Sequence, residues 1–183
     1  KPYDRFVQEQ LAGDELFPDD PAALIATGFM RHGIFEYNVP DIRGQWDSIL
    51  NELTDVTGDV FFGFGFQCAR CHDHKFDPLL QKDYFRLRAF FEATLPRDDV
   101  IAATADEKAA YAAQEAVYLQ KTRELREQLD ALLEKPLQAV FDATTKRYPD
   151  DLMEIIRKDP EEHTPYEKQL VAFANRLIRH DQR

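Results

Sequence analysis

The sequence predicts a mostly α-helical fold. Hydrophobic residues make up 44% of the 183 residues and aromatic residues 12%, which is enough apolar surface for a packed core. Apolar side chains recur at helical spacings of three and four along most of the chain. The chain has 14 phenylalanines and only 7 glycines, which favours packed helices over an all-β fold with many glycine turns.

Two helices are predicted near the N-terminus. The first carries an apolar face and should end at Gly13. That face consists of Tyr3, Phe6, Val7 and Leu11. Asp20 precedes Pro21, which gives a good N-cap followed by a favoured first helical residue. This pair predicts a helix over Pro21–His32 that Gly33 closes.

Two further helices are predicted in the middle of the chain. The strongest amphipathic pattern of the first half runs from Trp46 to Val60. A second pattern predicts a helix over Lys82–Ala93, with its aromatic and leucine side chains facing inward. Those side chains are Tyr84, Phe85, Leu87, Phe90 and Phe91.

The C-terminal part is acidic and predicted to be helical. A long helix is expected over Asp106–Glu134, with Pro136 stopping or kinking it, and shorter helices at about 137–147 and 150–158. Thr164-Pro165-Tyr166-Glu167 is a capping box that starts the last helix. Its expected buried face is Leu170, Val171, Ala174, Leu177 and Ile178. Because the long helix has few heptads, an intramolecular hairpin is favoured over a dimerising coiled coil.

Composition changes near Leu95-Pro96, which predicts two units: residues 1–100 and a helical appendage over 101–183. The net charge of −11 opposes binding to nucleic acid, whose phosphates need basic partners. It also opposes docking on anionic membranes and would suit a basic protein partner. No apolar run approaches the length of about 20 residues that spans a bilayer.

One motif carries recognisable chemistry. The segment Cys68-Ala69-Arg70-Cys71-His72 has the spacing of a c-type haem attachment site. Two thiols one short turn apart can each form a thioether with a porphyrin vinyl group. The adjacent imidazole is then held under the iron as an axial ligand, and its other ring nitrogen needs an acceptor. The motif therefore predicts one haem c held by Cys68 and Cys71, with His72 on the iron.

Other interpretations of the two cysteines stay open. A structural zinc site would need two more ligands, and the adjacent Cys71 and His72 cannot easily both face one tetrahedral ion. A thioredoxin-like redox pair would need a βαβ setting. A disulfide or a pair of free thiols would make the segment part of a non-haem structural module.

Aromatic side chains flank the motif on both sides, as the apolar envelope of a haem would require. They are Phe61, Phe62, Phe64, Phe66, Phe76, Tyr84, Phe85, Phe90 and Phe91. Ordinary core packing explains each of them equally well.

The motif and its flanks resemble the planctomycete-type secreted cytochrome-c-like family, whose members are haem-motif domains of large multidomain proteins of unknown function. The matching segments lie within about residues 1–95. They are Pro2–Val7, Glu9–Asp14, Ala26–Phe29, Cys68–Pro78, Asp83–Phe85 and Ala89–Phe91. The resemblance implies haem c, a periplasmic or extracellular location, and residues before Lys1 that complete the haem domain. It also implies a redox partner protein, which could be another domain of the same parent chain.

The sixth iron ligand decides between two haem functions. A Met or a second His would give an electron-transfer centre, whereas an open site would allow an enzyme to act on peroxide or oxygen. Met30 and His32 are the favoured distal candidates, because they end a helix ahead of the motif. The other candidates are His74, Met153, His163 and His180.

Other polar residues near the motif have two interpretations each. Asp73, His74 and Lys75 are expected to fix the turn after His72, and binding of a cation together with Asp77 is the alternative. Arginines can pair with haem propionates or stay solvated. These arginines are Arg70, Arg86 and Arg88.

Overall fold

A computed structural model describes residues 1–33, 36 and 40–183. Within these ranges the chain forms seven α-helices, three short 3-10 helices and no strand, which confirms the mostly α prediction. The helices are α1 (Tyr3–Leu16), α2 (Pro21–Ala26), α3 (Ile42–Phe62), α4 (Gln81–Phe91), α5 (Ala105–Thr145), α6 (Asp150–Arg157) and α7 (Pro165–Asp181). The 3-10 helices are Thr27–Arg31, Phe66–Arg70 and Pro160–Glu162. No described helix is both long enough and apolar enough to cross a membrane.

The chain divides into two compact units. Unit 1 contains residues 1–32 and 97–143, and unit 2 contains residues 33–96 and 144–183. Each unit therefore combines segments from both sides of residue 100. The assignment of 1–100 and 101–183 to separate domains stays a prediction.

Unit 1 begins with α1 packed closely on α2. Gly13 does not end α1 as predicted: the helix continues to Leu16 across a kink at Ala12. Gly13 is needed for packing, because a Cβ there would collide with the carbonyl of Ala23. The predicted helix after Asp20 is confirmed at its start, where the Asp20 carboxylate accepts a hydrogen bond from the backbone of Ala22. It changes to a 3-10 helix at Thr27.

Helix α5 is a single helix of 41 residues that includes Pro136. The sequence predicts that a new helix begins at about residue 137, after Pro136 has stopped or kinked the long helix. This boundary is wrong, because α5 continues to Thr145. A proline costs a helix interior about 3 kcal/mol, and strong helix formers on both sides can offset that locally. Between residues 109 and 136 every side chain is exposed except that of Thr122, which is half-buried.

The core of unit 2 lies between α3, α4 and α7. Trp46 of α3 is 1% exposed and packs against Phe173 of α7, with ring centroids 5.1 Å apart. The side-chain amide of Gln169 donates hydrogen bonds to the carbonyls of Glu92 and Thr94, at 2.6 and 2.8 Å. These contacts fasten α7 to the end of α4.

The predicted caps and buried faces are largely confirmed in this unit. The Glu167 carboxylate accepts a hydrogen bond from the backbone of Thr164, and the Thr164 hydroxyl accepts one from the backbone of Glu167. Four of the five residues predicted for the buried face of α7 are buried, and Val171 is only half-buried. In α4, however, Phe85 and Phe90 point outward, with 47% and 81% of their surface exposed.

Candidate functional site

The cysteine motif lies on a 3-10 helix that α3 and α4 hold in place. Phe66 starts this helix, is 5% exposed, and stacks on Tyr84 of α4 with centroids 5.7 Å apart. Its backbone N–H donates to the carboxylate of Asp59 at 2.9 Å. Ala69 is fully buried. Phe66 and Ala69, which are three residues apart, therefore form the buried side of this 3-10 helix.

The two thiols lie on the outer side of this turn. Cys68 and Cys71 are both exposed and free, so neither thiol takes part in a disulfide. The backbone N–H of Cys71 bonds to the carbonyl of Cys68 at 3.4 Å, which closes one 3-10 turn between them. Side chains three apart eclipse each other in this geometry. Both sulfurs are therefore accessible from one side of unit 2.

His72 has one ring nitrogen occupied and the other unbonded. Its Nδ1 lies 2.8 Å from the carbonyl oxygen of Asp73. A carbonyl can only accept, so Nδ1 carries a hydrogen, and in the neutral ring Nε2 then presents a lone pair. This is the tautomer that an imidazole needs to bind iron through Nε2. The acceptor that the sequence required, but could not identify, is the neighbouring main-chain carbonyl.

His74 has different partners. Its Nδ1 lies 3.0 Å from the backbone nitrogen of Asp77, which can only donate, and 3.1 Å from Oδ2 of the same residue. The backbone N–H of Asp77 requires a lone pair on Nδ1, whereas the Asp77 carboxylate requires a hydrogen there, so these contacts alone do not fix the tautomer of His74. Both contacts hold the ring within the turn. Its role is to hold the turn, as the sequence analysis favoured for Asp73, His74 and Lys75.

Other hydrogen bonds hold the rest of this turn. The backbone N–H of His74 donates to Leu79 at 2.8 Å. Asp73 accepts from the backbone of Gln81 at 2.8 Å, and the Gln81 side chain donates to the carbonyl of Arg70 at 3.1 Å. The sequence analysis missed both Gln81 and Asp59. An acidic residue seven positions before Phe66 and a glutamine opening a helix are common features that give no specific signal.

Several large apolar side chains on the segments that flank the motif in unit 2 are exposed, although soluble proteins normally bury such groups. They are Phe62, Phe64, Phe76, Leu80, Phe85 and Phe90. Phe76 is 83% exposed. By contrast, Phe66, Tyr84 and Phe91 belong to the core and Phe61 is half-buried, so the aromatic residues predicted as an envelope do not share one environment.

The three candidate arginines differ in how strongly the protein engages them. Arg88 donates to Asn51 at 2.6 Å and is paired with Asp47, so its guanidinium is committed to α3. Arg86 pairs with Asp83 of its own helix and its side chain is 70% exposed. Arg70 lies 3.5 Å from Asp55. Arg70 and Arg86 are therefore the two that retain access to an anionic group at the surface.

A cavity of about 670 Å³ lies along the polar face of α3 and reaches Arg70. Most of its lining residues are polar, with Asp41, Gln45, Glu52 and Asp55 among them. Desolvation raises the pKa of the Asp55 carboxyl, and a hydrogen bond with Tyr84 opposes this shift. Because Arg70 is one of the lining residues, this cavity adjoins the cysteine motif.

The distal candidates belong to different parts of the fold. Met30 is half-buried and His32 is exposed at the end of the 3-10 helix in unit 1, whereas the cysteine motif belongs to unit 2. Met153 and His163 are buried in unit 2, and the Nε2 of His163 is bonded to the carbonyl of Ile155 at 2.8 Å. The choice of Met30 or His32 as sixth ligand stays a prediction.

Among the described residues, no three histidine, cysteine or acidic side chains come together in a way that would hold a metal ion. A four-ligand zinc site at Cys68 and Cys71 thus gains no geometric support. A haem iron is a different case, because the porphyrin supplies four nitrogens and the protein needs to add only an imidazole.

Comparison with known proteins identifies one family. The model of PSCyt2, described as a protein of unknown function (DUF1549), matches residues 1–95, about half of the chain. This is the extent over which the sequence resemblance was identified. No curated protein and no solved structure matches the chain.

Proposed function

The chain belongs to the PSCyt2 family, which is described as a protein of unknown function. From the cysteine motif and the arrangement of His72, we propose that the chain carries one haem c and transfers single electrons through it. Cys68 and Cys71 supply the two thioethers, and His72 supplies the axial nitrogen. Bound in this way, the haem would provide a one-electron iron couple. The finer identity, as a cytochrome-like member of the exported planctomycete-type proteins, is part of this proposal.

The observation that carries the proposal is the hydrogen bond from Nδ1 of His72 to the carbonyl of Asp73. It presents the Nε2 lone pair in the ring that directly follows the second thiol. Nδ1 of His74 contacts both the backbone N–H and the carboxylate of Asp77, which hold this ring in the turn. His72, which directly follows the second thiol, is therefore the proposed ligand.

The surroundings support the same assignment. The thiols are exposed on one side of a short turn, and apolar side chains that would otherwise face water lie on the flanking segments. Covering them with a porphyrin would gain roughly 25 cal/mol for each square ångström of apolar surface. Arg70 and Arg86 would be available for the propionates.

The test is to produce the full chain in cells that attach haem c and to record a pyridine haemochrome spectrum on the denatured protein. We expect a thioether-type spectrum with one haem per chain. Replacing both cysteines, Cys68→Ala with Cys71→Ala, should leave no haem attached after denaturation. A colourless full chain from such cells would contradict the proposal.

The axial ligand is tested with a matched pair of variants. His72→Ala should keep covalent haem but lose the spectroscopic signature of the axial imidazole, with exogenous imidazole restoring it. His74→Gln retains an acceptor near the turn and should keep the signature unchanged. Loss of the signature in His74→Gln, and its survival in His72→Ala, would overturn the assignment of the two histidines.

The spectrum of the reduced protein separates electron transfer from the alternative of an open haem enzyme. A saturated, low-spin iron that carbon monoxide does not shift would support electron transfer. A high-spin spectrum that shifts with carbon monoxide would contradict it and support chemistry on oxygen or peroxide. It would also show that neither Met30 nor His32 reaches the iron.

A further inference from the structure

Helix α5 exposes a continuous stripe of large apolar side chains. Tyr118, Leu125, Leu129 and Leu132 are 60%, 67%, 50% and 74% exposed, and Tyr111 is 52% exposed. In an ordinary surface helix such residues would face a core. Within unit 1 none of the described helices covers this part of α5, since residues 109–136 are exposed apart from the half-buried Thr122.

The spacing of the stripe is that of a coiled-coil seam. Its positions alternate by four and three residues: 111, 115, 118, 122, 125, 129 and 132. This alternation keeps one face of a helix towards a single partner helix over three heptads. Glu115 and Thr122 are the two polar members, and the seam ends before Pro136.

The charges beside the seam distinguish two ways of pairing it with itself. In a parallel pair, Glu115 would face Glu115 of the second copy, and Lys121 would lie opposite Arg126 of the second copy. Both contacts join like charges, which opposes this arrangement.

An antiparallel pair removes both conflicts. Thr122 then lies opposite Leu125 of the second copy, Leu129 opposite Tyr118, and Leu132 opposite Glu115. Lys135 of one copy comes within reach of Glu115 of the other, so each end of the seam gains an opposite-charge pair. The pattern is complementary to itself in this direction only.

We propose that α5 pairs with α5 of a second copy as an antiparallel coiled coil centred between Thr122 and Leu125. Five apolar side chains per copy take part: Tyr118, Leu125, Leu129 and Leu132 of the seam, and Leu133, which flanks it. At about 100 Å² each, their burial on both copies removes on the order of 1,000 Å² from water, the lower limit for a specific interface. A second copy fits better than an unrelated helix, because in the antiparallel arrangement each half of the seam is complementary to the other half of an identical seam.

The experiment is sedimentation equilibrium on the full chain, with a reducing agent to prevent cross-linking through the exposed thiols. We expect a monomer–dimer equilibrium, with moderate salt strengthening the dimer of this acidic chain. Leu125→Lys should weaken association at least about tenfold by placing a charge in the seam. Val117→Lys adds the same charge off the seam and should leave association unchanged. Circular dichroism should show equal helix content in both variants, because both positions are exposed.

The direction of pairing is tested by a charge exchange. Glu115→Lys should weaken the dimer, because the new lysine meets Lys135 of the second copy, and adding Lys135→Glu should restore it. In a parallel pair Lys135 does not reach position 115, so the second change would give no rescue. A chain that stays monomeric at all concentrations would overturn the proposal, as would a dimer that Leu125→Lys leaves intact or one that lacks the rescue.

Discussion

At the scale of single residues, His72 shows how a main-chain group can select a tautomer of the neutral ring. Its Nδ1 faces the carbonyl of Asp73, so Nε2 presents a lone pair. Nδ1 of His74 instead contacts both the backbone N–H and the carboxylate of Asp77, which hold the ring in the turn. The motif in the sequence contains both histidines, and only the folded backbone gives them different partners.

Gly58 is a second residue whose small size positions the site. It lies in α3 beneath Phe66, and a Cβ there would overlap Cβ and Cγ of Phe66 and lie 2.9 Å from its Cδ1. The overlap is with the root of the side chain, which cannot rotate away. The close approach of α3 to the start of the cysteine turn depends on this glycine.

We predict that Gly58→Ala destabilises the protein by about 1–3 kcal/mol, because overpacking outweighs the helix propensity of about 1 kcal/mol that alanine gains. Urea unfolding followed by circular dichroism measures the change. Gly28→Ala is the control, since no atom lies within 4 Å of a Cβ at that position. Equal or greater stability of Gly58→Ala would mean that α3 and the cysteine turn do not pack as described.

At the scale of helices, the N-cap residues provided the most accurate sequence predictions, because they mark where a helix begins. Asp20 and Thr164 cap α2 and α7 as predicted, because a capping side chain bonds to backbone only two or three residues away. Such local contacts can be identified without the rest of the fold.

Features that depend on distant segments could not be predicted in the same way. The outward direction of Phe85 and Phe90 is set by which face of α4 packs on the rest of unit 2, and helical spacing alone does not determine that face. The continuation of α5 through Pro136 depends on a balance of local terms of similar size. The acceptor for His72 depends on a loop conformation that spacing does not specify.

The capping box of α7 predicts a defined pH dependence. The hydrogen bond from the backbone of Thr164, followed by the bond from Lys158, lowers the pKa of Glu167 from 4.5 to about 2. A carboxyl with a lowered pKa in the folded state adds stability above its unfolded pKa and loses it as the pH falls. We expect the stabilising effect of Glu167, relative to Glu167→Gln, to decline between about pH 5 and pH 2.

Unfolding by urea at a series of pH values measures this decline. Thr164→Ala serves as the comparison for loss of the cap itself and should cost about 1 kcal/mol at neutral pH. A constant difference between wild type and Glu167→Gln across the acid range would contradict the lowered pKa.

At the scale of the whole molecule, charge is the dominant property. The net charge of −11 arises from 34 acidic and 23 basic side chains. Individual surface ion pairs contribute little, whereas repulsion among the excess carboxylates acts on the entire folded chain. The same excess would attract a basic protein from a distance.

We therefore predict that adding sodium chloride raises the midpoint of thermal unfolding at pH 7, because salt screens the repulsion. Differential scanning calorimetry measures the shift. The internal control is the same titration near pH 4.9, the isoelectric point, where the net charge is close to zero and the shift should largely vanish. A midpoint that falls with salt at pH 7 would show that favourable ion pairs outweigh the repulsion.

The contact between Trp46 and Phe173 limits where the chain can be truncated. Sequence similarity to the family ends at residue 95, which invites expression of that half alone. Such a truncation would strip away the helix that shields the indole and would also remove Gln169 from the carbonyls it joins. The end of the family match is thus a poor place to truncate the chain, and a fragment that folds should keep residues 144–183 together with the cysteine motif.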